Sequence, residues 1–378
     1  MSFTQQDILK KVCLCIFVLC SISFSADVKI SPTKALIVDG KPFFPIAVWL
    51  QPAKNIDFLC SLGIDTFIPA EYDDVPDIKT YLDKLKDKNA YGIVHISNYS
   101  DVIKNHPALI AWMHPDEPDI AGGKPLKAPQ MPPEKVISDY KLIKSKDPSK
   151  PVYVNFGSDQ ARGRAPIPNK MYYEFVKGAD IISYDIYPIN ADGDNMLHLV
   201  GKGMDKIRKY CDDKKPCWIW LECSRIRDRR APTPSELNTE VWMSIVHGAK
   251  GIGYFPHTWN PSYKACDIPK DVQDEMRKVN SKIKSMTEVL LSEDAKREVK
   301  CETGGDGKVD ILVKELKDKI YIFAVNMKKN ADKAKISITG LNEGDVVVQD
   351  EGRKIKMKGG EFEDNFKEYE VHIYEINK

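Results

Sequence analysis

The chain of 378 residues predicts an α/β protein: a (β/α)8 barrel followed by a small all-β domain. Between residues 41 and 293, short apolar runs alternate with segments of helical periodicity. Those runs are continuously apolar rather than alternating, which strands covered on both faces require. After Glu293 the helical pattern stops and short strands follow one another across polar turns.

The elements come in order. Lys10 and Lys11 precede an apolar run from Val12 to Cys20, and Ser23-Phe24-Ser25 ends in small residues, so residues 1–25 read as a secretory signal peptide. That run is too short for a comfortable membrane span, and a secreted or periplasmic location is expected. Cys60, Cys211, Cys217, Cys223, Cys266 and Cys301 lie beyond it, an even set that permits disulfides in an exported protein without specifying any pairing.

Residues 26–293 form the predicted barrel. Its strands are "PFFPIAVW" (42–49), "IDTFIPA" (64–70), "YGIVHIS" (91–97), "ALIAWMH" (108–114), "PVYVNF" (151–156), "DIISYDIYP" (180–188), "PCWIWLEC" (216–223) and "KGIGYF" (250–255). Between them, residues 74–88 and 133–146 carry helical spacing, and 271–293 make a longer amphipathic helix. Thr233-Pro234-Ser235-Glu236 is a capping box with proline at the first helical position, and Gly248 closes the helix it opens. A doubly wound sheet is the structural rival, but "AVWLQPAKN" after the first strand lacks a glycine-rich phosphate turn. Residues 296–378 read as an antiparallel β domain, with Tyr369, Val371, Ile373 and Ile376 as the buried face of its last strand pair.

Lys plus Arg number 56 and Asp plus Glu 55, so no charge excess draws the molecule to nucleic acid or an anionic membrane. Function must then sit locally, at the C-terminal strand ends where barrels place their working side chains. Those ends carry Trp49, Glu71, His95, the trio Asp116, Glu117 and Asp119, Asn155, Asp185 with Tyr187, Glu222, and His257 with Trp259. Carboxylates, amides and aromatics dominate. Aromatic faces stack on sugar C–H surfaces, amides and carboxylates bind hydroxyls, and a carboxyl pair supplies glycosidic hydrolysis. Glu222 ends a wholly apolar strand, where a charge needs a partner or a task. Glu117 and Glu222, on strands four and seven, are the expected catalytic pair. Trp49, Glu71, Asp116, Asn155, Asp185, Tyr187, His257 and Trp259 are expected to bind a carbohydrate substrate. Trp112 and Trp220 read as core. No cofactor or zinc-ligand spacing is present.

"AWMHPDEPD", "WIWLECSR" and "GAKGIGYFPHTW" resemble the strand-four, strand-seven and strand-eight segments of retaining (β/α)8-barrel glycoside hydrolases, the beta-galactosidase-like and cellulase-like members. The resemblance covers about residues 36–293 and implies Glu117 as acid/base, Glu222 as nucleophile, and retention at a β-linked oligo- or polysaccharide. One position departs from the pattern: Asp116 stands where those enzymes usually carry an asparagine, so the contact to the sugar 2-hydroxyl must differ or pass to another residue such as Asn155. Two alternatives stay open, a non-catalytic carbohydrate-binding barrel and a metal-dependent hydrolase using scattered His95, His114 and His257.

Overall fold

The computed structural model describes residues 25–70, 74–123, 128–163, 167–193, 195–227, 229–304 and 308–378. The expected signal segment, apart from Ser25, and the expected substrate contact Glu71 lie outside the described residues.

Eight parallel strands close a barrel. In chain order they are Ile46–Gln51, Thr66–Pro69, Tyr91–His95, Leu109–Met113, Val152–Phe156, Ile181–Ile186, Cys217–Glu222 and Ile252–Phe255, here barrel strands one to eight. Strand eight pairs back onto strand one through Ile252 and Ile46. Side chains alternate across the wall. On strand seven, Trp218 and Trp220 fill the interior, while Cys217, Ile219 and Leu221 pack outward against helices.

The first predicted run splits in two. Lys41–Phe43 pairs with Leu36–Val38, which pairs with Val28–Ile30, as a small antiparallel sheet outside the barrel. Pro45 separates it from strand one because it has no N–H to continue a ladder. Ala26, Val28, Leu36 and Val38 of this segment pack against interior residues Ala47, Ile93 and Ile110, filling the N-terminal end of the barrel. The opposite end stays open.

Helices begin and stop where their termini are satisfied. Asp77 accepts from the Thr80 amide at 2.7 Å to start Ile78–Asp87. The predicted capping box forms in both directions at the head of Pro234–Val246, and Gly248, at φ 98°, ends that helix. The long final helix is Lys270–Ser285, followed by a short turn of helix, Thr287–Leu290. Among the described residues, no helix is long and apolar enough to cross a membrane.

The C-terminal domain is a sandwich of a three-stranded and a five-stranded antiparallel sheet, with Ile322, Ile336, Val346, Phe362 and Tyr374 in its interior. The last strand, Val371–Asn377, differs from the expected single buried face. Tyr374 and Ile376 point into the sandwich, whereas Ile373 and Tyr369 join the outer core of the barrel. A period of two makes that split unavoidable for a strand covered on both sides. Trp242 stacks on Phe323 across the junction at 5.6 Å. His247 bonds Asp205 at 2.9 Å and Asp310 of the sandwich at 3.1 Å. Burial opposes its charge, but the two aspartates outweigh burial and push the imidazole up to about 9. The six cysteines are thiols, and Sγ atoms of Cys211 and Cys217 lie 3.8 Å apart in the interior.

Candidate active site

A cavity of about 1090 Å³ opens at the C-terminal end of the barrel. Its lining includes Asp116 and Glu117 after strand four, Asn155 on strand five, Asp185 and Tyr187 at strand six, Trp220 on strand seven, and Phe255, His257 and Trp259 at strand eight.

A polar ladder climbs the interior to it. The Trp220 indole N–H meets Tyr153, whose hydroxyl bonds Ser183. Ser183 donates to Asn155 Oδ1 at 2.7 Å, and Asn155 Nδ2 donates to Asp116 Oδ1 at 3.0 Å. The rungs come from strands five, six and seven, and the last of them, Asn155, ties down Asp116 beyond the end of strand four. Gly253 makes room below, since a Cβ there would lie 2.2 Å from the Trp220 ring.

Glu117 sits in the left-handed region, at φ 45°. The surroundings over-determine that conformation: its N–H donates to Asn155 O and its carbonyl accepts from Ile120 N, both at 3.1 Å. Gly157 faces the side chain, and a Cβ there would stand 3.0 Å from Glu117 Oε1. The strand-five loop is thereby kept clear of the carboxyl.

The Glu117 and Asp185 carboxyls are close neighbours, near enough to share a proton. Burial raises the Glu117 carboxyl above its ordinary value, and Asp159 adds to the effect. Asp185, only 8% exposed, is raised well above the usual range by burial and then by Glu117 and Asp116. Among the described residues, no N–H or hydroxyl donates to its Oδ1, which solvent does not reach. Asp116 is reached by solvent from the cavity but has protein on most other sides, and this enclosure with the Glu117 charge pushes it up to about 7. Asp119 is fully covered and also raised to about 7, mainly by burial, although Gly157 N and Tyr172 donate to it at 2.9 and 2.8 Å. This crowd of acids holds protons near neutrality that exposed carboxyls would have lost.

Aromatic rings form the opposite side. Trp49 meets Trp220 edge-on at 4.7 Å. Phe255 contacts Tyr187 at 5.0 Å and stacks with Trp259 at 5.7 Å. Trp259 is 45% exposed and Tyr263 59%, so ring faces remain open at the rim. His257 bonds Trp49 O through Nε2 at 3.0 Å and the Tyr263 hydroxyl through Nδ1 at 3.1 Å. A carbonyl only accepts, which puts the imidazole proton on Nε2. Burial lowers this histidine to about 4, and it is neutral.

The structure thus brings together Trp49, Asp116, Glu117, Asn155, Asp185, Tyr187, His257 and Trp259. It does not bring Glu222 to them. Glu222 is fully buried behind the wall, where the amides of Ile189 and Asn190 donate to its two oxygens at 2.6 and 2.8 Å and the Asn190 side chain adds a further bond. Its polar neighbour on the far side is Glu240, from helix Pro234–Val246. Glu222, expected to pair with Glu117, is absent from the cavity lining, and the turn after strand six holds its carboxyl. His114 Nε2 donates to Gly178 O at 2.8 Å in the outer layer, away from His257. Among the described residues, no cluster of three or more His, Cys, Asp and Glu is placed to hold a metal ion.

Sequence reading missed several lining residues. Trp220, read as core, is 1% exposed yet floors the cavity. Arg162, bonded bidentately to Asp192, and Asn190 form part of the wall. Tyr263 was signalled by the aromatic density of "YFPHTWNPSY", which continues past Trp259.

No protein-family model matches the chain, and no curated protein matches its sequence. Solved structures share its fold. Gan42B, a GH42 beta-galactosidase from G. stearothermophilus, superposes with a TM-score of 0.58 at 10% identity, covering 94% of this chain and all of that one. A catalytic mutant of the same enzyme gives 0.57 at 11% identity over 89% and 98% of the two chains. AmyP, crystallised with maltotriose, gives 0.56 at 10% identity over 86% and 89%. At these identities the likeness shows the fold, a (β/α)8 barrel.

Proposed function

We propose that the protein is an exported glycoside hydrolase that cleaves a β-linked oligo- or polysaccharide with retention, using Glu117 and Asp185. The observation that carries this reading is the pair of neighbouring carboxyls, Glu117 and Asp185, in the lining of a large, aromatic-sided cavity. The pair holds a proton between its members, so its titration belongs to both. Positive charge developing on the sugar ring favours the anion on Asp185, and the proton then resides on Glu117. Glu117 protonates the departing oxygen while Asp185 attacks the anomeric carbon. Glu117 next takes a proton from water, and the glycosyl ester is hydrolysed.

Two carboxyls in contact leave no space for the water that inversion requires between groups about 6.5–9.5 Å apart. They need only part to about 5–5.5 Å around a bound glycosidic bond, which supports double displacement. Asp116, tied to Asn155, meets a sugar hydroxyl, and Trp259 stacks on a ring. Glu222 serves this reaction as a scaffold, because catalysis by it requires the strand-six turn to give up its bonds. Export rests on the leader-like residues 1–25. The β linkage rests on the strand-four and strand-eight resemblance. The test is a panel of aryl α- and β-glycosides with NMR detection of the first anomer released. Turnover with retention supports the reading, and an inverted product would overturn the assigned roles.

A further inference from the structure

A second cavity, of about 760 Å³, lies beside the first and shares Trp49, Leu50 and Asp116 with it. The larger cavity covers the strand-five to strand-eight side of the barrel mouth. The smaller covers strands two to four, where Ala70, His95, Asn98 and Gln130 are among its lining. They meet at a saddle formed by Trp49 and Leu50 from strand one and Asp116 from strand four. Each cavity alone is at least the size of a complete small-ligand site, roughly 300–1,000 Å³. Side by side, their linings draw on all eight strand ends of the mouth.

The saddle is built with care. Leu50 has φ 40°, a conformation that a bulky residue holds only under constraint. The constraint comes from Gln51, whose amide donates to Trp49 O at 3.0 Å and Ala265 O at 2.7 Å, and from the His257 bond to Trp49 O. The ladder between strands one and two shifts register at this same place. The saddle residues Trp49 and Leu50 sit within that bulge, where the chain departs from regular strand geometry.

Glu117 and Asp185 lie on the larger cavity's side of the saddle, next to Asp116, which touches both cavities. A sugar whose anomeric carbon faces Asp185 rests in the larger cavity, against Trp220 and the strand-eight rings. Its glycosidic oxygen then points over the saddle toward the second cavity. That cavity combines apolar Val75 and Ile78 with polar Asn98 and Gln130, the mixture of surfaces a sugar ring presents. At the other end, exposed Trp259 and Tyr263 form the rim of the larger cavity.

We propose that the second cavity binds the leaving-group sugars, so that the substrate is a polysaccharide continuing on both sides of the scissile bond and cut internally. This rests on the glycosidase reading above and adds the action pattern to it. The test compares the wild-type protein on soluble β-glucan, β-mannan, β-xylan and β-galactan, and on the matching nitrophenyl glycosides. Early release of long fragments with a steep fall in viscosity is expected from one polymer. Asn98→Trp, at an exposed position, fills the second cavity, and should lower the ratio of polymer to nitrophenyl-glycoside kcat/KM by about tenfold or more. Single sugars released from chain ends, or an unchanged ratio in a folded variant, would overturn the proposal while leaving the glycosidase reading intact. If neither polymers nor nitrophenyl glycosides are hydrolysed, the glycosidase reading fails and this inference fails with it.

Discussion

Two pairs of acids flank one wall of the barrel mouth, and their surroundings differ. Glu117 and Asp185 line the cavity as neighbours. Glu222 and Glu240 lie behind the wall, where Glu222 receives two backbone amides and a side-chain amide. Burial raises all of them, so a displaced titration does not separate a working acid from a structural one. What separates them is position: Glu117 and Asp185 line the cavity, and Glu222 and Glu240 do not. A carboxylate whose oxygens are filled by main-chain donors holds a turn. One that lines a cavity is placed to meet a ligand.

The largest expected effects fall on the cavity pair. Glu117→Gln and Asp185→Asn should each lower kcat/KM by about a thousandfold or more, with thermal melting at neutral pH unchanged or raised, because a disfavoured buried charge is removed. Leaving-group dependence distinguishes their roles. Dinitrophenyl glycosides depart with little protonation, so they should restore much of the first step in Glu117→Gln and little in Asp185→Asn. Kinetics within tenfold of wild type in either variant would remove that residue from the chemistry.

The barrel and its appended β domain were legible because their signals are local: apolar runs, a capping box, the loss of helical period. Glu117 was legible for the same reason, as an acid just beyond an apolar strand and between Pro115 and Pro118. That rule also pointed to Glu222, which the fold places outside the cavity lining. Its bonding partners Ile189 and Asn190 lie over thirty positions upstream, and nothing in the sequence says that the turn after strand six folds over the end of strand seven. Asp185 was recognised as a substrate contact, but its closeness to Glu117 spans two barrel strands and appears only in three dimensions. The first strand was placed too early because "PFF" is apolar, although Pro45 marks where the barrel ladder begins.

An intermediate effect is expected behind the wall. Glu222→Ala leaves the Ile189 and Asn190 amides buried without acceptors, at about 1–3 kcal/mol each. Melting should fall by several degrees, and KM should rise more than kcat falls, since Asn190 lines the cavity and loses its anchor. Glu222→Gln keeps one acceptor oxygen and should recover part of both losses. If Glu222→Gln instead loses activity as completely as Glu117→Gln with melting unaltered, then Glu222 reaches substrate and the contrast between the pairs collapses.

The smallest effect tests how the hidden pair shares its proton. No donor among the described residues meets the Glu240 oxygens; its polar neighbour is Glu222, with Glu236 and Arg230 further away. Burial first, then the Glu222 charge, keeps Glu240 protonated, and burial raises Glu222 from 4.5 to about 7. A carboxyl raised by folding contributes its full stability below the unfolded value and loses it as pH climbs through the folded one. The wild-type melting temperature should therefore decline between about pH 4.5 and about pH 7 as this pair is forced to ionise. Glu240→Gln replaces the shared proton with a permanent N–H donor to Glu222, which favours the Glu222 anion and should flatten that decline. Asp116, Asp119 and His247 titrate alike in both proteins, so they cancel in the difference between the two pH profiles. Parallel profiles would mean that Glu222 and Glu240 do not exchange a proton in this range, and that the wall is held by the Ile189 and Asn190 amides alone.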